Sequence, residues 1–302
     1  MHGHGEQITV RDRHNLGTST WGHGIMRVVV VSGLSGSGKS VALKAMEDAN
    51  FYCVDNLPAA LLLEAVEYLE LLGIQDAALS IDSRSGGSLV GLPEELERLR
   101  GKVDLRIIFL TAKDETLVKR FSETRRRHPL NTGERSLEEC IREEREMLAW
   151  LSGNAHQMDT SDLSANTLRN WIKDFLELHN ASFTLVFESF GFKHGIPMDA
   201  DLVFDMRCLP NPHYDPILRP LTGRDAPVIA FLQAQEQVAE MLEDLRAFIT
   251  KWLPSYIRDN RSYFTVGLGC TGGQHRSVYF AEALADHFRD AQQVLIRHRE
   301  LS

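Results

Sequence analysis

The chain has 302 residues, 43% of them hydrophobic and 25% charged, with a net charge of −9. That length fits two domains, and the composition excludes a mostly disordered chain. No apolar run approaches the ~20 residues of a membrane span, and an acidic balance argues against a bulk basic nucleic-acid binder. The cysteines, Cys53, Cys140, Cys208 and Cys270, are scattered and form no Cys-x-x-Cys pair. A disulfide framework or structural zinc is therefore not expected. No secretory leader pattern opens the chain, so a reducing cytoplasm is the expected compartment.

Residues 1–25 are rich in His and Gly, with His2, His4, His14 and His23, and show no periodicity. They read as a disordered extension, with Met26 as the alternative start. From Met26 the pattern alternates. Strand-like runs are Arg27–Ser32, Phe51–Asp55, Ala77–Asp82, Leu105–Leu110 and His156–Thr160. Helical patterns lie between them at Lys39–Ala49, Pro58–Leu72, Leu92–Arg100 and Ser136–Leu151, the last opening with capping-box spacing from Ser136 to Glu139. This alternation predicts a parallel sheet covered by helices, over residues 26–160. A linker helix is expected over 161–182. A second α/β domain follows over 183–302. Its strand-like runs are Phe183–Phe187, Leu202–Met206, Val228–Phe231, Tyr263–Leu268 and Gln293–Ile296, with helices at Gln233–Leu253 and Ser277–Asp290.

Residues Gly33, Leu34, Ser35, Gly36, Ser37, Gly38, Lys39 and Ser40 match G-x-x-x-x-G-K-[ST] between a strand and a helix. The glycines let backbone N–H groups turn inward around phosphate oxygens, and the helix aims its positive end at them. Lys39 reaches the β/γ-phosphates and Ser40 ligates Mg²⁺, so these two are the expected catalytic pair. The second Mg²⁺ carboxylate is Asp55 or Asp82, each at a strand end. The cluster Lys119, Arg120, Arg125, Arg126 and Arg127 reads equally as a kinase-like lid or a solvated helical face.

The second loop runs from Gly269 through Cys270, Thr271, Gly272 and Gly273 to Arg276 and Ser277. Cys270-x5-Arg276 is the spacing of cysteine-dependent phosphatases, in which the thiolate attacks phosphorus. It is also a plain anion cradle at a helix N-terminus, which is the reading favoured here. Asp205, Arg207, Asn211, His213 and Arg219 surround a Pro-rich loop that could complete the pocket.

Several long stretches resemble one bacterial family. They are Val31 to Leu43 around the first loop, Phe51 to Pro58, Glu188 to Pro197, Leu209 to His213, and Gly269 to Ser277. Together they are similar to the RapZ/YvcJ nucleotide-binding proteins, from about Met26 onward. The resemblance implies a P-loop NTPase domain of kinase-like fold that binds, and slowly hydrolyses, ATP and GTP with Mg²⁺. It implies a C-terminal domain that senses an amino-sugar phosphate, glucosamine-6-phosphate in one branch. By motif position Asp205, Arg207, His213, Cys270, Thr271, Gly272 and Arg276 correspond to the sugar-phosphate pocket. Asp82, Ser83, Arg84 and Ser85 correspond to a guanine-nucleotide segment. The RNA-binding branch carries a basic tail, whereas this chain stops at Arg297-His-Arg-Glu-Leu-Ser302. RNA binding is therefore expected to be weak and steeply salt-dependent. The resulting expectation is a homo-oligomeric cytoplasmic regulator with weak ATPase or GTPase activity and no membrane partner. Its alternatives are a small-molecule kinase, an RNA-binding RNase adaptor and a cysteine-dependent phosphatase.

Overall fold

The computed structural model describes residues 25–177, 183–258 and 263–301. The extension expected over residues 1–25 lies outside them, apart from Ile25. The first sheet contains β1 (Arg27–Gly33), β2 (Tyr52–Val54), β3 (Asp76–Ser80), β4 (Asp104–Thr111) and β5 (His156–Asp159). Its order is β2-β3-β1-β4-β5 with every pair parallel. The strand order reverses at β1, so the crevice beyond its C-terminal end is where ligands of open α/β sheets bind.

The helices of this domain are α1 (Lys39–Asp48), α2 (Leu62–Leu71), α3 (Leu92–Arg100), α4 (Asp114–Thr124), α5 (Leu137–Met147), α6 (Ala149–Gly153) and α7 (Ala165–Glu177). Val28, Val29, Val30 and Val31 are all fully buried, which is why β1 reads as an unbroken apolar run. Successive side chains alternate between faces. Val28 and Val30 enter a core with α2 and α3, and Val29 and Val31 enter one with α1 and α7. Each such valine contributes about 1.5–3 kcal/mol relative to exposure.

The capping box at Ser136 and Glu139 is formed on both sides. The helix over 161–182 is observed as α7. Its Leu168, Ile172, Phe175 and Leu176 face belongs to the core of the first sheet, so it covers that sheet as well as leading to the next. Residues 178–182 lie outside the described set.

The second sheet contains β6 (Thr184–Gly191), β7 (Leu202–Asp205), β8 (Tyr263–Cys270) and β9 (Gln293–His298), in the order β7-β8-β6-β9 and again all parallel. Its helices are α8 (Ala226–Gln233), α9 (Glu236–Arg258) and α10 (Arg276–Phe288). The run Val228–Phe231, expected as a strand, lies inside α8. Pro227 in the first turn starts that helix, and Val228 and Leu232 bury one face four residues apart. A four-residue apolar run cannot by itself tell a strand from a buried helix turn.

The two domains meet on buried charge. Arg297 of β9 stacks over Trp171 at 4.8 Å and hydrogen-bonds His156 of β5. Arg299 pairs with Asp162 at 3.1 Å, with Asp159 at 3.8 Å and with Glu188 at 3.9 Å. Both Glu188 oxygens lack a hydrogen bond among the described residues. Burial, with Asp199 nearby, pushes the Glu188 carboxyl well above the usual range despite Arg299 and Arg297. Burial likewise pushes the His156 imidazole well down, with Arg297 adding to it.

Candidate functional site

The first loop leaves β1 at Gly33 and enters α1 at Lys39. Gly33, Gly36 and Gly38 have φ of 147°, 86° and 108°, conformations that L side chains rarely adopt. At Gly33 space also demands glycine, because a Cβ there would lie 2.3 Å from the Leu110 carbonyl oxygen. No side chain caps the N-terminus of α1, so its first N–H groups stay available to an anion. The buried Ser37 hydroxyl has no hydrogen-bond partner among the described residues. Lys39 turns back on its own loop, donating to the Gly33 carbonyl at 2.6 Å and the Leu34 carbonyl at 3.2 Å. Burial lowers its pKa, although Glu144 and Asp82 act against that.

The loop is braced from behind. Thr160 donates its hydroxyl to the Ser37 carbonyl at 2.8 Å. Arg120 donates to the Gly36 carbonyl at 3.0 Å and the Thr160 carbonyl at 2.6 Å. This guanidinium, counted with the lid cluster in the sequence, is committed to holding the loop. Lys119, Arg125, Arg126 and Arg127 remain exposed.

Asp82 lies just past β3 rather than within it. Its carboxylate caps the turn Ser83–Gly91 by accepting the Arg84 N–H at 3.0 Å, and it pairs with the Arg84 guanidinium at 2.6 Å. Asp55 is exposed. Both act electrostatically on Lys39, Asp82 more than Asp55. The described residues contain no group of three or more His, Cys, Asp or Glu side chains that could hold a metal. Mg²⁺ on a phosphate does not need one, since it keeps several waters and takes one or two protein ligands. The exposed Ser40 hydroxyl with one of these carboxylates fits that donor set.

The sequence reading missed Glu144. This fully buried carboxylate accepts the Ser35 N–H at 2.8 Å, the Ser35 hydroxyl at 2.7 Å and the Ser83 hydroxyl at 2.7 Å. The His128 Nε2 lies 3.2 Å away, and the Leu130 N–H donates to His128 Nδ1. Nδ1 is therefore the accepting nitrogen, and Nε2–H donates to Glu144. Burial would raise this carboxyl, but hydrogen bonds from His128, Ser83 and Ser35 and the Lys39 charge hold it down at about 2. One signal was legible: Glu144 shares the buried face of α5 with Cys140 and Ile141, where a charge needs partners.

In the second domain the Cys270 loop joins β8 to α10. Burial pushes the Cys270 thiol up, yet the Ser277 hydroxyl and the Ser277, Gly273 and His275 N–H groups outweigh it and the net shift is down. The Ser277 hydroxyl stands 3.2 Å from the sulfur, and the Gly273 N–H donates to it at 3.2 Å. Gly191 passes so close beneath that a Cβ there would lie 2.9 Å from the Gly272 backbone.

Arg276 is buried and donates through Nη1 to the Arg207 carbonyl at 3.0 Å and the Leu209 carbonyl at 2.7 Å. It thus ties the loop after β7 to the head of α10, and its buried Nε is left without a partner among the described residues. Asp205 and Arg207 pair at 2.7 Å, and Arg207 lies over the Phe192 ring at 4.0 Å. Asp205 pairs in register with Gly269. His213 faces His275 with ring centroids 6.3 Å apart, and Thr271 is exposed on the loop. The structure therefore gathers Asp205, Arg207, His213, Cys270, Thr271, Gly272 and Arg276 at one end of the second sheet. Ser83 stands beside the first loop, sharing the Glu144 carboxylate with Ser35, and Arg84 is held there by Asp82.

Family models for a RapZ-like N-terminal domain and a RapZ C-terminal domain match residues 26–180 and 183–302. A nucleotide-binding protein of Azoarcus sp. (strain BH72) is 60% identical over 276 residues, covering 91% of this chain and 94% of the relative. One from Thiobacillus denitrificans is 59% identical over 278 residues, covering 92% of this chain and 100% of the relative. Among solved structures, shikimate kinase from Bacteroides thetaiotaomicron aligns with 51% of this chain and 99% of its own, at 17% identity and a TM-score of 0.37. That likeness is too loose to argue from.

Proposed function

The chain belongs to the RapZ family, and on that premise we propose that it is a two-site regulator that binds ATP or GTP through the Gly33–Ser40 loop and hydrolyses it slowly. The observation that carries this is a loop wound by three left-handed glycines around a half-buried lysine whose hydrogen bonds, among the described residues, go to the loop's own carbonyls. A nucleotide's phosphates offer that ammonium a better partner. Mg²⁺ would be held by Ser40 with Asp82 or Asp55, and would supply neutralisation of phosphate charge. The turn that follows Asp82 stands beside the loop, since Ser83 shares Glu144 with Ser35, and its exposed Arg84 would meet the rest of the nucleotide. The test is isothermal titration of ATP and GTP with and without Mg²⁺; absence of binding by the parent protein refutes the reading.

The Cys270 loop would hold a phosphorylated amino sugar. The Arg276 Nε, without a partner among the described residues, suits the phosphate at the head of α10, and Asp205 suits an amino group. The downward-shifted Cys270 thiol favours a second reading, a cysteine-dependent phosphatase. Phosphate release from glucosamine-6-phosphate that vanishes in Cys270→Ser selects the second; binding without release selects the first. No helix of the described residues is long and apolar enough to cross a membrane. Action in the cytoplasm as a homo-oligomer completes the proposal.

A further inference from the structure

The four bonds on Glu144 fix more than the position of the loop. Its two oxygens have room for about four hydrogen bonds, and an ionised carboxylate only accepts. The Ser35 N–H, the Ser35 hydroxyl, the Ser83 hydroxyl and His128 Nε2–H fill them. Glu144 therefore has little capacity left to act as a base itself. Its effect is on the two serines. Each hydroxyl has one hydrogen, and each spends it on the same Glu144 oxygen at 2.7 Å. What each retains is lone pairs, so both can only accept from whatever enters beside them. Ser35 lies within the phosphate loop. Ser83 follows Asp82, whose charge acts on Lys39 together with that of Glu144.

An acceptor-only pair repels a phosphate oxygen and attracts an O–H. We propose that Ser35 and Ser83, polarised by Glu144, position the attacking water for hydrolysis of the nucleotide's terminal phosphate, with Glu144 as the positioning residue. This rests on the nucleotide-binding reading. Water donates a hydrogen to a serine lone pair, which leaves its own lone pair directed at phosphorus. The new bond joins the water oxygen to the terminal phosphorus. The bond from that phosphorus to the bridging oxygen breaks, and its electron pair stays on the nucleoside diphosphate. The surplus proton leaves to solvent, and the serines and Glu144 are unchanged.

The experiment compares parent, Glu144→Gln and Ser83→Ala. Titration with ADP and with a non-hydrolysable ATP analogue reads binding and folding, and steady-state kinetics reads kcat and KM. A glutamine offers an N–H to the serines, so their hydrogens are released to turn toward the water. The expected result is analogue and ADP affinity within about threefold of the parent and a kcat lower by at least about tenfold in both variants. Ser83→Ala tests the relay without changing a buried charge, so it stands if Glu144→Gln is too unstable to assay. Variants that keep the parent kcat, or that lose binding and kcat together, overturn the proposal. A parent that binds nucleotide but does not hydrolyse it also overturns this proposal and leaves the binding reading intact. A parent that binds no nucleotide overturns the underlying reading.

Discussion

Replacing Glu144 by glutamine should cost the first domain about 3 kcal/mol at neutral pH. The side chain is fully buried, so solvent screening does not reduce the effect. The folded carboxyl is held at about 2 against an ordinary value of 4.5, and at about 1.4 kcal/mol per pH unit that difference is worth about 3 kcal/mol. Because the folded value lies below the unfolded one, the stabilisation is complete above about pH 4.5 and is lost as the pH falls toward 2. At pH 3.5 about 2 kcal/mol remains, so the gap between parent and variant should narrow by roughly 1 kcal/mol from its value at pH 7. Glutamine also sets an N–H against donors, which adds to the cost without adding pH dependence. Urea unfolding of both proteins at pH 7, 5 and 3.5, followed by tryptophan fluorescence, reads the gap; Trp171, buried in the first domain, is one reporter. A gap below about 1 kcal/mol at pH 7, or one that does not change with pH, refutes the assignment of Glu144 as an ionised clamp.

Lys39→Ala should weaken triphosphate binding by about ten- to a hundredfold, the loss of one charge-assisted contact, with little change in melting temperature; calorimetric titration and a thermal scan check both parts. Arg276→Ala should lower the unfolding midpoint of the second domain and abolish binding of glucosamine-6-phosphate, because the 207 and 209 carbonyls lose their shared donor, whereas Cys270→Ser should retain binding. The stability of the parent relative to Glu188→Gln should fall as the pH rises from 5 to 8, since a carboxyl whose folded pKa is raised above its unfolded value loses stability with increasing pH; urea unfolding of both proteins at the two pH values reads the change, and a relative stability that rises or stays level refutes it. RNA binding, read by mobility shift at two salt concentrations, should be weak and fall steeply with salt.

Local sequence determined much of this protein. The strand–loop–helix at Arg27–Asp48, the capping box at Ser136 and the glycines of both loops follow from near-neighbour sterics and hydrogen bonding, and these appear in the sequence at fixed spacings. So does the parallel character of the first sheet, because its strands alternate with helices. Only the tertiary structure decided the rest. Val228–Phe231 became a helix because its apolar face had a core to enter, which four residues cannot announce. Arg120 and Arg276 became braces because carbonyls from distant loops arrived within reach. Glu144 meets Ser35 across 109 residues of chain, and Arg297 meets His156 across 141. Such contacts depend on how whole helices pack onto sheets. A buried charge therefore shows in the sequence only as a polar residue on an apolar face, and its partner is named by the fold.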